Sequence, residues 1–205
     1  MSKINGTFDS RLPLDVKEKL KSARVAIAGL GGLGSNIAVM LARSGVGKLL
    51  LVDFDKVDTS NLNRQAYSIP HLGMWKTEAL TQIIKDINPA VELETICTKI
   101  TTENATSLLG EYPIVCEAFD KPEQKAMLIS TILSECKNSI VVSGNGMASY
   151  SDCNKIKTKK VTERLYICGD GVSDIEKGDI LIASRVLICA GHQATKVIQL
   201  ILDDE

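Results

Sequence analysis

A short apolar run, Val25-Ala26-Ile27-Ala28, leads directly into Gly29-Leu30-Gly31-Gly32-Leu33-Gly34-Ser35, and a helical pattern opens there. Few local features restrict a chain more. The β-branched run reads as a buried strand, the glycines allow a tight turn, and the helix that follows must carry the chain across the sheet. A strand, a turn and a crossover helix in that order begin a βαβ unit, whose strands are parallel.

The rest of the chain keeps that rhythm. Arg24 to Ala28, Lys48 to Val52, Val91 to Cys97, Ile114 to Glu117 and Ile140 to Ser143 read as strands. Leu33 to Arg43, Lys76 to Ile87 and Glu123 to Cys136 read as helices. In the second of these, Ala79, Leu80, Ile83, Ile84 and Ile87 share a face, and Asn88-Pro89 stops it. The expectation is an α/β fold, a Rossmann-like doubly wound sheet that is mainly parallel. Met147 to Asp179 breaks the alternation. Its two β-prone stretches, Lys155 to Lys160 and Val161 to Ile167, predict a small antiparallel appendage, and Ala183 to Leu202 a C-terminal helix. With no repeat and no low-complexity linker, residues 1–205 are expected to form one domain around a nucleotide-binding core at about 22–145.

Composition narrows the classes. The 24 basic and 25 acidic residues balance to a net charge of -1, which argues against a long phosphate-tracking surface. Met1 to Arg11 lacks the apolar centre of a signal peptide, and no apolar run reaches the roughly 18 residues of a membrane span. None of the six cysteines forms a Cys-x-x-Cys pair, so structural zinc is not expected and a cytoplasmic location is.

Glycine turns of this kind bring backbone N–H groups at a helix N-terminus up to a phosphate. The candidate cofactor-binding glycines are Gly29, Gly31, Gly32 and Gly34. The next strand ends at Asp53, about twenty residues on, where a carboxylate can accept both hydroxyls of a ribose. This signal does not choose between NAD and ATP, and taken alone it favours a dehydrogenase.

The following residues separate them: Asp53-Phe54-Asp55-Lys56-Val57-Asp58-Thr59-Ser60-Asn61-Leu62-Asn63-Arg64-Gln65, then Gly73-x-x-Lys76, then Asp120 after a strand. With the glycine motif, this pattern resembles the superfamily of ubiquitin-activating enzymes and its bacterial relatives of ThiF, MoeB and HesA type. The match runs from Gly29 to Asp120, nearly half the chain. Gly169-Asp170 and His192-Gln193-Ala194 make the remainder similar to the short, zinc-free ThiF family of the thiamine pathway. The resemblance implies ATP-dependent adenylation of the C-terminal Gly-Gly carboxylate of a ubiquitin-like sulfur carrier, with release of pyrophosphate and with Mg²⁺ as cofactor. It also implies a homodimer.

The residue types suit that chemistry. A C-terminal carboxylate has a pKa of about 3.5, so it is already a nucleophile at neutral pH and needs no general base. The site must supply alignment and positive charge. Arg64 offers a fork of donors, Lys76 a point charge, and Asp120 a ligand for Mg²⁺ at the carboxyl end of a strand. Asn61 and Gln65 offer uncharged hydrogen bonds to phosphate or ribose, and Asp55 either faces the nucleotide or caps its turn. Arg11 is the only arginine before Arg24, and the resemblance implies that it reaches the partner subunit's triphosphate.

Cys153 and Cys168 stand in the segment where some relatives carry a sulfur-transfer or thioester cysteine, and they read equally as incidental thiols. His192 reads as a packing or capping residue. A dehydrogenase would leave the Asn61 to Gln65 motif without a job. A non-catalytic scaffold would be expected to lose Arg64, Lys76 or Asp120, all of which are present. The carrier is expected to be of the thiamine type, with a molybdopterin carrier or the substrate of a tRNA-modifying relative as alternatives. No nucleic-acid or membrane partner is otherwise expected.

Overall fold

The computed structural model describes residues 11–203, so most of the N-terminal segment discussed above lies outside it. Seven strands form one sheet: β1 (Arg24–Ala28), β2 (Lys48–Val52), β3 (Glu92–Ile96), β4 (Ile114–Glu117), β5 (Ile140–Gly144), β6 (Lys157–Thr162) and β7 (Leu165–Gly169). The helices are α1 (Leu14–Ser22), α2 (Gly32–Ser44), α3 (Lys76–Ile87), α4 (Thr102–Leu109), α5 (Pro122–Glu135) and α6 (Ala183–Leu202).

The sheet order is β3-β2-β1-β4-β5-β7-β6, parallel throughout except for the β6–β7 pair. This is the expected Rossmann-like arrangement. Central strands buried on both faces explain their unbroken apolar runs. Val25, Ile27, Leu49 and Leu51 pack in one core with Leu20, Ile37, Leu80 and Val197 of α1, α2, α3 and α6. Ala26, Ala28, Leu50 and Val52 pack in the other with Leu109 of α4 and Leu128 and Ile132 of α5. Successive residues thus feed opposite layers, as strand geometry demands.

Two helices escape the periodicity. α1 buries only Leu20, and eight-residue α4 is set by a capping box in which the Thr101 N–H donates to Asn104 Oδ1 (2.8 Å). The expected antiparallel hairpin is present, its strand bounds shifted by two to four residues, and it sits at the edge of the main sheet. β7 runs parallel to β5, with Val141 opposite Leu165, so the hairpin extends the main sheet. Among the described residues no helix is long and apolar enough to cross a membrane.

Candidate active site

The chain leaves β1 toward one face of the sheet and β4 toward the other. The carboxyl ends of these neighbouring strands therefore open a crevice, where open α/β sheets take ligands. A cavity of about 430 Å³ occupies it. Its wall draws on five separated stretches: residues 29–33 after β1, 52–55 after β2, 61–76, 98–100 after β3, and 118–125 after β4. Met147, Ile175, Leu181 and Val186 close it from the C-terminal third.

The glycine turn is shaped by contacts within the protein. Gly29 has φ +89°, a left-handed conformation that favours glycine, and a β-carbon there would sit 3.0 Å from the Ala118 carbonyl oxygen. A β-carbon at Gly34 would collide with the Gly29 carbonyl oxygen. Gly31 differs. A β-carbon there would meet nothing closer than Gln65 Nε2 at 4.0 Å, so no protein atom demands its bare backbone. Gly31 instead leaves room in the cavity beside the start of α2, whose first N–H groups have no intrahelical partner.

Asp53 is buried at the end of β2. Its Oδ2 accepts from the Leu30 N–H (2.6 Å) and its Oδ1 from the Asp55 N–H (2.8 Å). The carboxylate braces the glycine turn and still lines the cavity with its remaining lone pairs. Burial raises its pKa above the usual carboxylate value, against the pull of Lys76 and the two N–H donors.

The 53–76 segment is laced to the turn. Ser35 Oγ accepts from the Ala66 N–H (3.1 Å), Asn36 Nδ2 donates to the Arg64 carbonyl (3.0 Å), and the Tyr67 hydroxyl donates to the Leu30 carbonyl (2.9 Å). These bonds hang Arg64 and Gln65 over the first turn of α2. Arg64 Nη1 donates to Ser60 O (3.1 Å) and Asn63 Oδ1 (2.8 Å), leaving the rest of its fork at the cavity. Gln65 Oε1 is buried with no partner among the described residues, an acceptor in want of a donor. Asn61 Oδ1 is taken by the Asp58 N–H (3.0 Å), so its part in the turn is structural and only its amide nitrogen remains.

Lys76 opens α3, nearly buried at 7% exposure, and its Nζ donates to Asp55 Oδ2 at 2.8 Å. Asp55 is half exposed and lines the cavity. Asp120 lies just before α5, exposed on the cavity wall. Among the described residues no group of three or more His, Cys, Asp or Glu is placed to hold a metal. A hard cation beside Asp120 would take most of its shell from phosphate oxygens and water, the usual habit of Mg²⁺.

Gly29, Gly31, Gly32, Asp53, Asp55, Asn61, Arg64, Gln65, Lys76 and Asp120 therefore share one cavity. Gly34 acts beneath it. Arg11 does not join them within its own chain. Its neighbours Leu12 and Leu14 line a hollow with Gly45–Gly47 and Asn88–Val91, at the amino ends of β2 and β3.

Cys153 is exposed. Cys168 is fully buried, and burial pushes its thiol pKa up despite Thr158 and Lys196. His192 Nδ1 lies 3.1 Å from Thr158 Oγ1 on β6, and Gln193 Nε2 donates to Glu117 O and Val142 O, so both residues tie α6 to the sheet. Asp170 ion-pairs with Arg185, a buried pair that spans the site's outer wall. Motif reading missed Ser35, Asn36 and Tyr67, whose roles depend on contacts with the turn. It also missed Glu117, buried beneath the wall, and Lys125 on it.

Comparison with known proteins agrees with this geometry. The ThiF family model matches residues 8–205. The adenylyltransferase and sulfurtransferase UBA4 of Candida glabrata is 38% identical over 129 residues, 62% of this chain and 30% of that protein. The molybdopterin-synthase adenylyltransferase of Haemophilus influenzae is 39% identical over 115 residues, 56% of this chain and 47% of that one. The chain thus spans under half of either relative. The fold of E. coli tRNA N6-threonylcarbamoyladenosine dehydratase, solved with ATP, superposes with a TM-score of 0.85 at 19% identity. It covers 96% of this chain and 93% of the other. With glycine turn, acidic strand end and polar 53–76 segment all in place, the chain belongs to the ThiF family.

Proposed function

We propose that the protein adenylates the C-terminal carboxylate of a ubiquitin-like sulfur carrier, taking AMP from ATP and releasing pyrophosphate. The observation that carries this reading is the meeting of Gly31, Asp53, Arg64, Lys76 and Asp120 in one cavity from four stretches of chain. The adenylyltransferase relatives support it, as does the ATP-bound neighbour.

The reaction forms a bond between a carboxylate oxygen and the α-phosphorus and breaks the bond to the β-phosphate. The attacking oxygen is already ionised, so the protein's part is to align it and to meet the charge that shifts onto the leaving pyrophosphate. In this reading the free N–H groups at the start of α2 hold phosphate, with Gly31 giving the backbone room to approach. Asp53 accepts from ribose. The unoccupied donors of Arg64 face the triphosphate. Lys76 is now neutralised by Asp55, and it supplies charge as phosphate competes for its Nζ. Gln65 Oε1 takes a donor from nucleotide or carrier. Mg²⁺ held at Asp120 would offset phosphate charge.

The carrier of thiamine thiazole synthesis is the preferred substrate, on overall resemblance to the short ThiF branch. The likeness to a tRNA dehydratase along nearly its whole length favours a second reading, in which tRNA presents the group that is activated. The assembly in this account is a two-fold dimer through α6 and the N-terminal segment, with Arg11 serving the partner subunit. The test is intact-mass detection of an AMP adduct after incubation with ATP, Mg²⁺ and each candidate in turn. An adduct on the thiamine-type carrier is the expected result. An adduct or dehydrated product on tRNA alone would move the substrate to the second reading.

A further inference from the structure

Below the cavity floor lies a polar network that the reaction chemistry does not call for. Glu117, the last residue of β4, is fully buried. Its Oε1 accepts from the Phe119 N–H (2.7 Å), its Oε2 from Ser143 Oγ (2.6 Å), and Lys125 Nζ of α5 bridges both oxygens at 3.1 Å. A carboxylate removed from water in this way needs its cation and its donors together.

The arrangement controls a strategic stretch. Residues 118–121 follow directly, and their first two pack against the bare α-carbon of Gly29 at the start of the glycine turn. Asp120 belongs to the same stretch. Glu117 folds its side chain back onto the Phe119 N–H and so sets where the chain turns after β4. Lys125, one helical turn beyond Lys121, pulls the start of α5 onto that carboxylate. Lys125 also lines the cavity at 16% exposure, although two of its three donors are spent on Glu117.

We propose that Lys125 is a positioning residue, acting through Glu117 to hold residues 118–121 against the glycine turn and so to keep Asp120 and the cavity wall in place for nucleotide. The proposal rests on the ATP-site reading above for its functional readout and on the hydrogen bonds alone for its structural one.

A direct role and a positioning role predict opposite signs. If Lys125 met the nucleotide itself, Glu117→Gln would free its ammonium and remove a buried negative charge, and ATP would bind as well or more tightly. Acting through Glu117, the same change weakens ATP by about tenfold, the usual scale for losing a charge-assisted hydrogen bond. Lys125→Met weakens it at least as much, and Lys125→Arg, which keeps charge and donors, restores most of the loss. Ser143→Ala removes a donor to Glu117 from a residue outside the cavity wall, so it serves if the charge variants misfold. It weakens ATP by a few-fold.

The experiment measures ATP affinity calorimetrically at a temperature where each variant is folded, alongside amide hydrogen exchange of residues 118–121 without nucleotide. Faster exchange of the Phe119 amide in Glu117→Gln, Lys125→Met and Ser143→Ala, with weaker ATP binding in step and recovery in Lys125→Arg, is the expected result. Lower melting temperatures with unchanged exchange and unchanged affinity would overturn it. Tighter ATP binding by Glu117→Gln would also overturn it. Wild-type protein that bound no ATP would sink the adenylation reading instead, while the exchange of residues 118–121 still decided the positioning.

Discussion

Two long stretches wall the same cavity, residues 53–76 and residues 145–182, the second carrying the β6–β7 hairpin, and they differ in the pairing that holds them. The first is held by the Asp58–Asn61 capping box, by bonds between its own two ends (Val57 with Met74, Asp55 with Lys76, whose carboxylate is half exposed) and by hydrogen bonds to the glycine turn and α2. It carries most of the polar groups that face the cavity. The second has its own turn caps at Asp152, Asp170 and Asp174, and one buried cation ties it together across its length. Arg185 pairs with Asp170 and donates to the carbonyls of Ala148, Ser151 and Asp152. It contributes mainly apolar wall. The difference separates function from support: exposed, exchangeable pairing suits a segment that must meet charged substrate, and buried pairing suits one that must stay put.

The sharpest way to break this comparison is to remove the pin. Arg185→Ala leaves Asp170 and three carbonyls without their donor, and unfolding stability should fall by about 3–5 kcal/mol, read from urea denaturation. A loss under about 1 kcal/mol would mean that the 145–182 segment is held by something else. The same pair makes a pH prediction. Burial alone would raise the Asp170 pKa, but the Ser173 and Val172 donors and Arg185 together hold it below the ordinary carboxylate value. Its stabilisation is therefore complete above about pH 4 and is lost as the pH falls through the lower folded value. Wild type should lose more stability over that acid range than Arg185→Ala does.

Next comes the first segment, where the effect should be on turnover and not on folding. Arg64→Ala should lower kcat for adenylation by about 100- to 1,000-fold, by analogy with lost oxyanion donors, and move the KM for ATP far less. Asp53→Ala should do the reverse, as its carboxylate serves ribose and the turn. An Arg64→Ala variant changed only in KM would make the guanidinium a ground-state clamp. One changed in neither parameter would remove Arg64 from the account.

Gly31→Ala sharpens the contrast between protein and ligand demands. The added methyl meets no protein atom within ordinary contact distance, so stability should stay within about 1 kcal/mol while ATP affinity drops. Equal loss of both would show a backbone demand instead. The smallest effect concerns the thiols. Under native conditions Cys153 should take a thiol reagent while Cys168 and Cys116 do not, since burial raises both of those pKa values. Intact-mass and peptide mapping after brief alkylation checks it.

How much of this was legible in the chain follows the same division. β1, β2 and β4 and the helices α3 and α6 could be read residue for residue, because a strand buried on both faces and an amphipathic helix each write a local period. The polar site residues from Gly29 to Asp120 announced themselves by their spacing within a few motifs, whereas Thr98, Lys99 and Ile100 on the same cavity did not. Partners set by long-range folding did not. Nothing near Glu117 signals that Ser143, on the next strand, and Lys125, on the next helix, will satisfy it. Asp170 stood out only as part of the Gly169-Asp170 pair, and nothing near it names Arg185 as its partner. The hairpin was expected as an appendage because its two β-prone stretches break the strand–helix alternation, and only the long-range pairing of β7 with β5 joins it to the sheet. Arg11, which lies away from its own chain's cavity, marks the limit of a reading by resemblance.

Adenylation of a carboxylate in the cavity would show as exchange of labelled pyrophosphate into ATP, in Mg²⁺, with a Gly-Gly carrier whose C-terminal carboxylate is either free or amidated. Exchange is expected with the free carboxylate and none with the amide. Equal exchange with both, or tight binding of NAD with no exchange at all, would contradict that chemistry.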